Sequence, residues 1–229
     1  MPNFNIVKES KYAKTFRNES VKGQFDLSIE TVKEKFAGNI DIENKDWSIG
    51  LIVGSSGSGK STIAKQVFGE SYIYNLDYGN NSVLDEMPKD KSTEQITSIF
   101  NSVGFATVWS WLKPYHVLSN GEKMRVDLAK SILSEKYLIV FDEFTSVVDR
   151  TIAKTASAAI QKSIRKLNKK FVAVSCHYDI VEWLEPDWIY DTDKKQFFFA
   201  QKNTKDQKLN LKLENVHQKS GIYLNAITI

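Results

Sequence analysis

The chain has 229 residues, 41% hydrophobic and 26% charged, the proportions of a globular protein with room for one domain or one plus an appendage. Its 31 basic and 28 acidic side chains leave a net charge of +3, which excludes a polyelectrolyte protein but allows a local basic patch. A lone cysteine, Cys176, excludes an internal disulfide framework and a thiolate-rich zinc site. His116, His177 and His217 are not at ligand spacing, and the longest apolar runs, such as Phe197–Ala200, fall far short of the ~20 residues of a membrane span. Met1 to Phe16 is polar and charged, so no secretory leader is expected, and the expected compartment is the cytoplasm.

Residues 1–46 mix strand-like pieces with charge and yield no assignable elements. From Trp47 the pattern sharpens: Trp47–Val53 reads as a buried strand, followed by a Gly/Ser-rich turn and a helix from Thr62 to Phe68. Turn residues gather at Tyr78-Gly-Asn-Asn81, a helix is expected over Thr93–Ser102, and aromatic residues cluster around Trp109 and Trp111. Asn120-Gly121 opens a helix to about Ser134, with Val126, Ala129, Ile132 and Leu133 on its apolar side. Tyr137–Phe141 is a continuous apolar run of strand length, as in a parallel strand covered on both faces. A helix from about Thr151 to Leu167 places Ile152, Ala156, Ile160 and Ile164 on one face. Phe171–Ser175 is the next strand, and Gln196–Ala200 a last one, set antiparallel near Pro186–Tyr190. The alternation predicts an α/β fold with a mainly parallel sheet. After Gln201 the composition shifts to five lysines against Asp206 and Glu214, with Leu209, Leu211 and Leu213 alternating with polar residues. The expected division is therefore 1–200 as the domain and 201–229 as a Lys-rich tail, the start of an extension.

Gly54-Ser55-Ser56-Gly57-Ser58-Gly59-Lys60-Ser61 fits G-x-x-x-x-G-K-[ST] between a predicted strand and a predicted helix, with Thr62 next in the helix. The glycines admit backbone angles closed to other residues, and the helix start directs unpaired N–H groups at an anion. Lys60 suits the β- and γ-phosphates of a nucleotide, and the Ser61 hydroxyl suits Mg²⁺. Asp142 and Glu143 directly follow the apolar strand, where open α/β sheets place their ligands. Asp142 is suited to hold Mg²⁺ through water and Glu143 to polarise an attacking water; the same pair could instead cap a following turn.

Leu118-Ser119-Asn120-Gly121-Glu122-Lys123 resembles the LSGGQ-type signature of ATP-binding-cassette (ABC) ATPases. The order of motifs is similar too: phosphate loop, signature, acidic strand end, a D-loop-like Thr145–Asp149, then His177 after a strand. The resemblance spans roughly residues 20–200. It implies a P-loop NTPase of the ABC type, with a mainly parallel core sheet, added antiparallel strands and a shortened helical subdomain. It implies ATP and Mg²⁺ as ligands, hydrolysis to ADP and phosphate, and a homodimer in which Ser119, Asn120, Gly121 and Glu122 act on the ATP of the opposite chain. Under it, Glu143 activates water, His177 contacts the γ-phosphate and Asp149 is the D-loop aspartate. Residue by residue there are plainer alternatives. Ser119 could be a helix cap, Asp149 the cap of the next helix, His177 a polar neighbour of Asp179 and Cys176 a small apolar filler. Phe25 is the candidate aromatic for adenine.

Only residues 61–118 separate Lys60 from Ser119, a much shorter insert than transporter ATPase subunits carry there, and no glutamine stands where the family's metal-contacting loop would put one. Leu138–Arg150 with Val172–Tyr178 resembles stand-alone cassettes of bacterial and phage genomes, some followed by an acetyltransferase-like domain. The leading expectation is an ATP-driven dimer acting as a switch for an unknown client protein. Alternatives are a transporter subunit, a clamp without turnover, and a nucleic-acid-associated ATPase using Lys162, Arg165, Lys166, Lys169 and Lys170; for that last group a solvated helix end is favoured over a nucleic-acid face.

Overall fold

The computed structural model describes residues 3–27, 31–73 and 76–199. At its centre β3 (Ile49–Val53) is buried at all five positions, between β5 (Lys170–Ser175) on one side and β6 (Trp188–Asp191) on the other. β4 (Leu138–Phe141) flanks β5, and β7 (Gln196–Phe199) closes the far edge, giving the order β4-β5-β3-β6-β7. All neighbours are parallel except β6 and β7, which pair antiparallel as the sequence suggested. Tyr72 adds a parallel bridge to Val140 beyond β4. Gly50 is needed in the middle of β3, because a Cβ there would overlap the indole of Trp188 lying across the strand.

The described residues up to Asp46 include a long antiparallel pair, β1 (Asn3–Lys11) and β2 (Thr31–Asn39), with the helix α1 (Phe16–Gln24) between them in sequence. This second sheet meets the first through Phe4, whose ring stands edge-on to Tyr190 with centroids 5.5 Å apart. Phe4, Ile40, Trp47, Ile52, Val172 and Trp188 belong to one buried cluster, roofed by α2 (Lys60–Phe68) through Ile63 and Ala64.

Helices α3 (Thr93–Ser102) and α4 (Val108–Trp111) form the short helical layer, held by Phe100 against Phe105 and Trp111 and by the Trp111 indole donating to the Phe105 carbonyl at 2.8 Å. They lead to α5 (Asn120–Leu133), which buries Val126, Ala129, Ile132 and Leu133 as its periodicity required. Midway along α5, Asp127 accepts from the phenols of Tyr78 (2.9 Å) and Tyr115 (2.8 Å), whose rings stack. Helix α6 (Arg150–Lys166) buries Ala153, Ala156, Ile160 and Ile164, and α7 (Ile180–Leu184) lies between β5 and β6. Ile152 is only half-buried. It sits in the first turn of α6, where it faces Gly121 of α5 and not the sheet.

The basic helix end departs from the favoured expectation of a solvated one. Three of its five cations are engaged within the chain. Arg165 reaches both carboxylate oxygens of buried Asp187 at 3.1 Å. The Lys169 ammonium donates to the carbonyls of Ile132 (2.7 Å), Ser134 (2.6 Å) and Lys136 (3.2 Å), and burial lowers its pKa. Lys170 lies 4.4 Å over the Trp47 ring. Only Lys162 and Lys166 of the five are exposed; the other three are partly buried. The Lys-rich tail of residues 201–229 lies outside the described residues.

Candidate functional site

Parallel pairing sends the carboxyl ends of β4, β5 and β3 to one edge. The phosphate-loop sequence leaves β3 there, Asp142-Glu143 leaves β4 and Cys176-His177 leaves β5. Register sharpens this, since Phe141 stands opposite Ala173 and Val53 opposite Ser175. Three segments far apart in sequence thus end side by side.

Gly57 and Gly59 have φ of +83° and +88°, in the left-handed region, and a Cβ on Gly59 would also overlap the ring of Phe36. Gly59 is the N-cap of α2 and supplies no side-chain oxygen to its first turn, Lys60, Ser61 and Thr62. By contrast α3, α5 and α6 are capped by Ser92, Ser119 and Asp149. Free N–H groups at a helix start carry about half a positive charge and suit an anion. Lys60, only 9% exposed, folds back and donates to the Ser55 carbonyl at 2.7 Å, which places its ammonium across the loop.

The turn between β6 and β7 braces this loop, and nothing in the sequence pointed to it. Asp193 accepts from the Ser55 amide and hydroxyl, both at 2.8 Å. Ser58 and Thr192 hydroxyls are 2.6 Å apart, and Thr192 also bonds the Val53 carbonyl at 3.1 Å. In sequence, Asp191-Thr-Asp-Lys-Lys195 looks like an ordinary polar hairpin turn; the strand order alone carries it under the loop. Beside the loop lies a cavity of about 440 Å³, lined among others by Lys35, Phe36, Ser56, Gly57, Asp193 and Lys195. Its aromatic lining is Phe36 and Tyr190. Phe25 is 65% exposed at the end of α1 and does not line it.

Asp142 accepts from the Tyr72 phenol and, at 2.9 Å, from the Glu143 amide. Glu143 and Thr145 have positive φ, +52° and +66°, conformations that cost non-glycine residues about 1–2 kcal/mol each. The Phe144 amide bonds the Val174 carbonyl at 2.9 Å and the buried Phe144 ring packs on Phe171, which holds this strained turn. Glu143 is left exposed. His177 is half-buried, and its pKa is lowered by burial and by Arg150, against opposing pulls from Asp179 and Glu143. Its imidazole is therefore neutral near pH 7, in the electrostatic range of Glu143.

Ser119 to Glu122 lie apart from this cluster. Ser119 caps α5 in a reciprocal box: its Oγ takes the Glu122 amide at 3.3 Å and donates to Glu122 Oε2 at 2.8 Å, while its own amide meets the same oxygen at 2.9 Å. Ser110 of α4 donates to Glu122 Oε1 at 2.6 Å. Asn120 is exposed, and a Cβ on Gly121 would stand 3.6 Å from Ile152 and Val148, in ordinary contact. Asp149 caps α6, accepting from the Thr151 and Ile152 amides at 2.9 and 3.0 Å, as read from the sequence.

A solved dimeric ATP-binding cassette, MJ0796 in a post-hydrolysis state with ADP and phosphate, superposes with a TM-score of 0.59 at 14% identity, covering 82% of this chain and 92% of that one. The fold is that of an ABC ATPase cassette. A bacterial Atm1-family ABC exporter with ATP bound matches with a TM-score of 0.53 at 16% identity, over 71% of this chain and 34% of the exporter. No family model matches the sequence. Among curated proteins, the cassette is similar to the methionine import ATP-binding protein MetN of Clostridium tetani, 24% identical over 65% of this chain. It is also similar to the ribosome protection protein VmlR of Bacillus subtilis, 25% identical over 54% of the chain. These matches span 59% of MetN and 27% of VmlR, so the chain corresponds to part of each relative. Among the described residues no helix is long and apolar enough to cross a membrane.

Proposed function

We propose that the protein binds and hydrolyses ATP and that ATP joins two copies head to tail, a switch read by a client protein. The observation that carries this is the meeting of the phosphate loop, Asp142-Glu143 and His177 at the carboxyl ends of three adjacent parallel strands. Lys60 and the uncapped start of α2 hold the phosphates, and the cavity beside Phe36 takes the nucleoside. Glu143 orients and deprotonates the attacking water, and neutral His177 donates to the γ-phosphate.

Mg²⁺ fits the oxygen donors Ser61 and Asp142. Among the described residues no group of three or more carboxylate, histidine or cysteine side chains could cage a metal. An ion held by Ser61 and Asp142 would supply positive charge to the phosphates. The signature segment lines no part of the loop cavity, so in the proposed dimer it would act on the ATP of the opposite copy. A transporter-subunit reading draws on the name of MetN; VmlR carries a name from outside import, and α3 and α4 leave a small docking layer.

Light scattering tests the switch. Glu143→Gln should bind ATP, hydrolyse it at least about a hundredfold more slowly, and pass from monomer to dimer with ATP but not ADP. Adding Ser119→Arg should abolish the dimer and spare ATP binding. A Glu143→Gln protein that stays monomeric in saturating ATP refutes the switch.

A further inference from the structure

We propose that Tyr178 and Asp193 form a positioning pair through which the γ-phosphate contact at His177 is felt at Ser55 of the phosphate loop. The inference rests on the nucleotide reading above and deepens it, assigning a route by which one site tells a triphosphate from a diphosphate.

Tyr178 directly follows His177 on the segment that leaves β5, so a backbone shift at His177 is passed to Tyr178. Its phenol oxygen stands 3.2 Å from Asp191 Oδ1 and 3.2 Å from Asp193 Oδ2, so one proton faces two acceptors at equal distance. The two carboxylates have different duties. Asp191, 3% exposed, is anchored: its Oδ1 takes the amides of Asp193 and Lys194, both at 3.0 Å, and so fixes the turn. Asp193 is exposed, and it grips the Ser55 amide and hydroxyl with its two oxygens. A phenol turned towards Asp193 draws charge from the oxygen that holds the Ser55 amide; turned towards Asp191, it leaves that oxygen to Ser55. Burial and the two carboxylates raise the Tyr178 pKa, which keeps the phenol a donor throughout the neutral range.

The far end of the path is the loop that meets the phosphates. Ser55 also offers its carbonyl to the Lys60 ammonium at 2.7 Å. A shift of Ser55 is therefore a shift of the lysine's resting partner. Pull on His177 by a γ-phosphate moves Tyr178 between its acceptors, and ADP, lacking that phosphate, leaves the pair at rest. The coupling is a two-position element that both ends bias, the requirement for a physical link between sites.

Titration with fluorescent ATP and ADP on a Glu143→Gln background, where turnover is suppressed, decides the matter. Tyr178→Phe should leave ADP affinity within about twofold and lower the preference for ATP over ADP about fivefold, a fraction of the worth of a hydrogen bond to a carboxylate. Asp193→Ala should weaken both nucleotides and lower the preference for ATP about as much as Tyr178→Phe does, and adding Tyr178→Phe to it should cause no further loss of preference. A Tyr178→Phe protein with the parent's ATP-to-ADP ratio overturns the link while leaving the site intact. Equal weakening of both nucleotides in Tyr178→Phe, with a lowered Tm, shows a merely structural tyrosine and also overturns it. A parent that binds neither nucleotide refutes the reading of the site itself, and the link with it.

Discussion

Two glycine-bearing segments open helices in this chain, and they are built on opposite principles. At the start of α2 the backbone is forced into left-handed angles, no side chain caps the first turn, and buried Lys60 has a loop carbonyl as its partner. At the start of α5 the cap is complete: Ser119 and Glu122 answer each other and Ser110 supports the carboxylate. The first is a poor helix start that makes sense once an anion is added. The second is a good helix start that needs nothing further in its own chain. In the proposed dimer Ser119 would gain a second partner from the other copy, although its cap is already complete within its own chain.

The contrast can be broken most forcefully at Lys60. Lys60→Ala should lower ATP affinity roughly a hundredfold, as expected when a charge-assisted contact of about 3 kcal/mol is removed. Circular dichroism should show the fold retained; unaltered binding of labelled ATP would mean that α2 needs no anion after all.

A finer comparison exchanges the glycines themselves. Gly59→Ala meets both a φ of +88° and the Phe36 ring, so it should cost about 1–3 kcal/mol in chemical denaturation. Gly121→Ala has helical backbone and 3.6 Å of room, so it should stabilise the monomer by up to ~1 kcal/mol while weakening the ATP-dependent dimer. Equal signs for the two substitutions in the monomer would erase the distinction drawn here.

The smallest effect concerns pH. The Ser110 hydroxyl, and then the Ser119 amide, hold the Glu122 carboxyl below its usual range. A carboxylate with a depressed folded pKa contributes stability that is complete above its unfolded value, about 4.3, and is lost as pH falls through the folded one. Between pH 5 and 3 the wild-type Tm should therefore drop more steeply than that of Glu122→Gln. Parallel curves would show that the carboxylate charge contributes nothing to the cap.

What could be read from sequence followed from how local each signal is. The phosphate loop and Asp142-Glu143 each follow an apolar strand directly, and burial on both faces makes such strands conspicuous. The Ser119 and Asp149 caps were legible for the same reason, since their partners lie within three residues. β1 and β2 were not: nearly all of β1 is exposed, so neither a period of two nor an apolar run marks it, and Phe4 alone is buried. The Asp193 brace and the duties of Arg165 and Lys169 depend on partners more than twenty residues away, which only the sheet order and helix packing supply. Lysines and arginines at a helix end look alike in sequence whether they face water or carbonyls.

The grip of Lys169 on the end of α5 has a mechanical meaning. Three carbonyls at and beyond the last turn share one ammonium, so this end of the helix is a pivot anchored to the approach to β5. The helix has 14 residues and spans about 20 Å at ~1.5 Å per residue, with Ser119 at its opposite end. For such an arm a swing of about 5° carries the tip about 2 Å. With the anchor at one end of the rod and the Ser119 hydroxyl at the other, a rotation of α5 about Lys169 would reach Ser119 as a displacement approaching the length of a hydrogen bond.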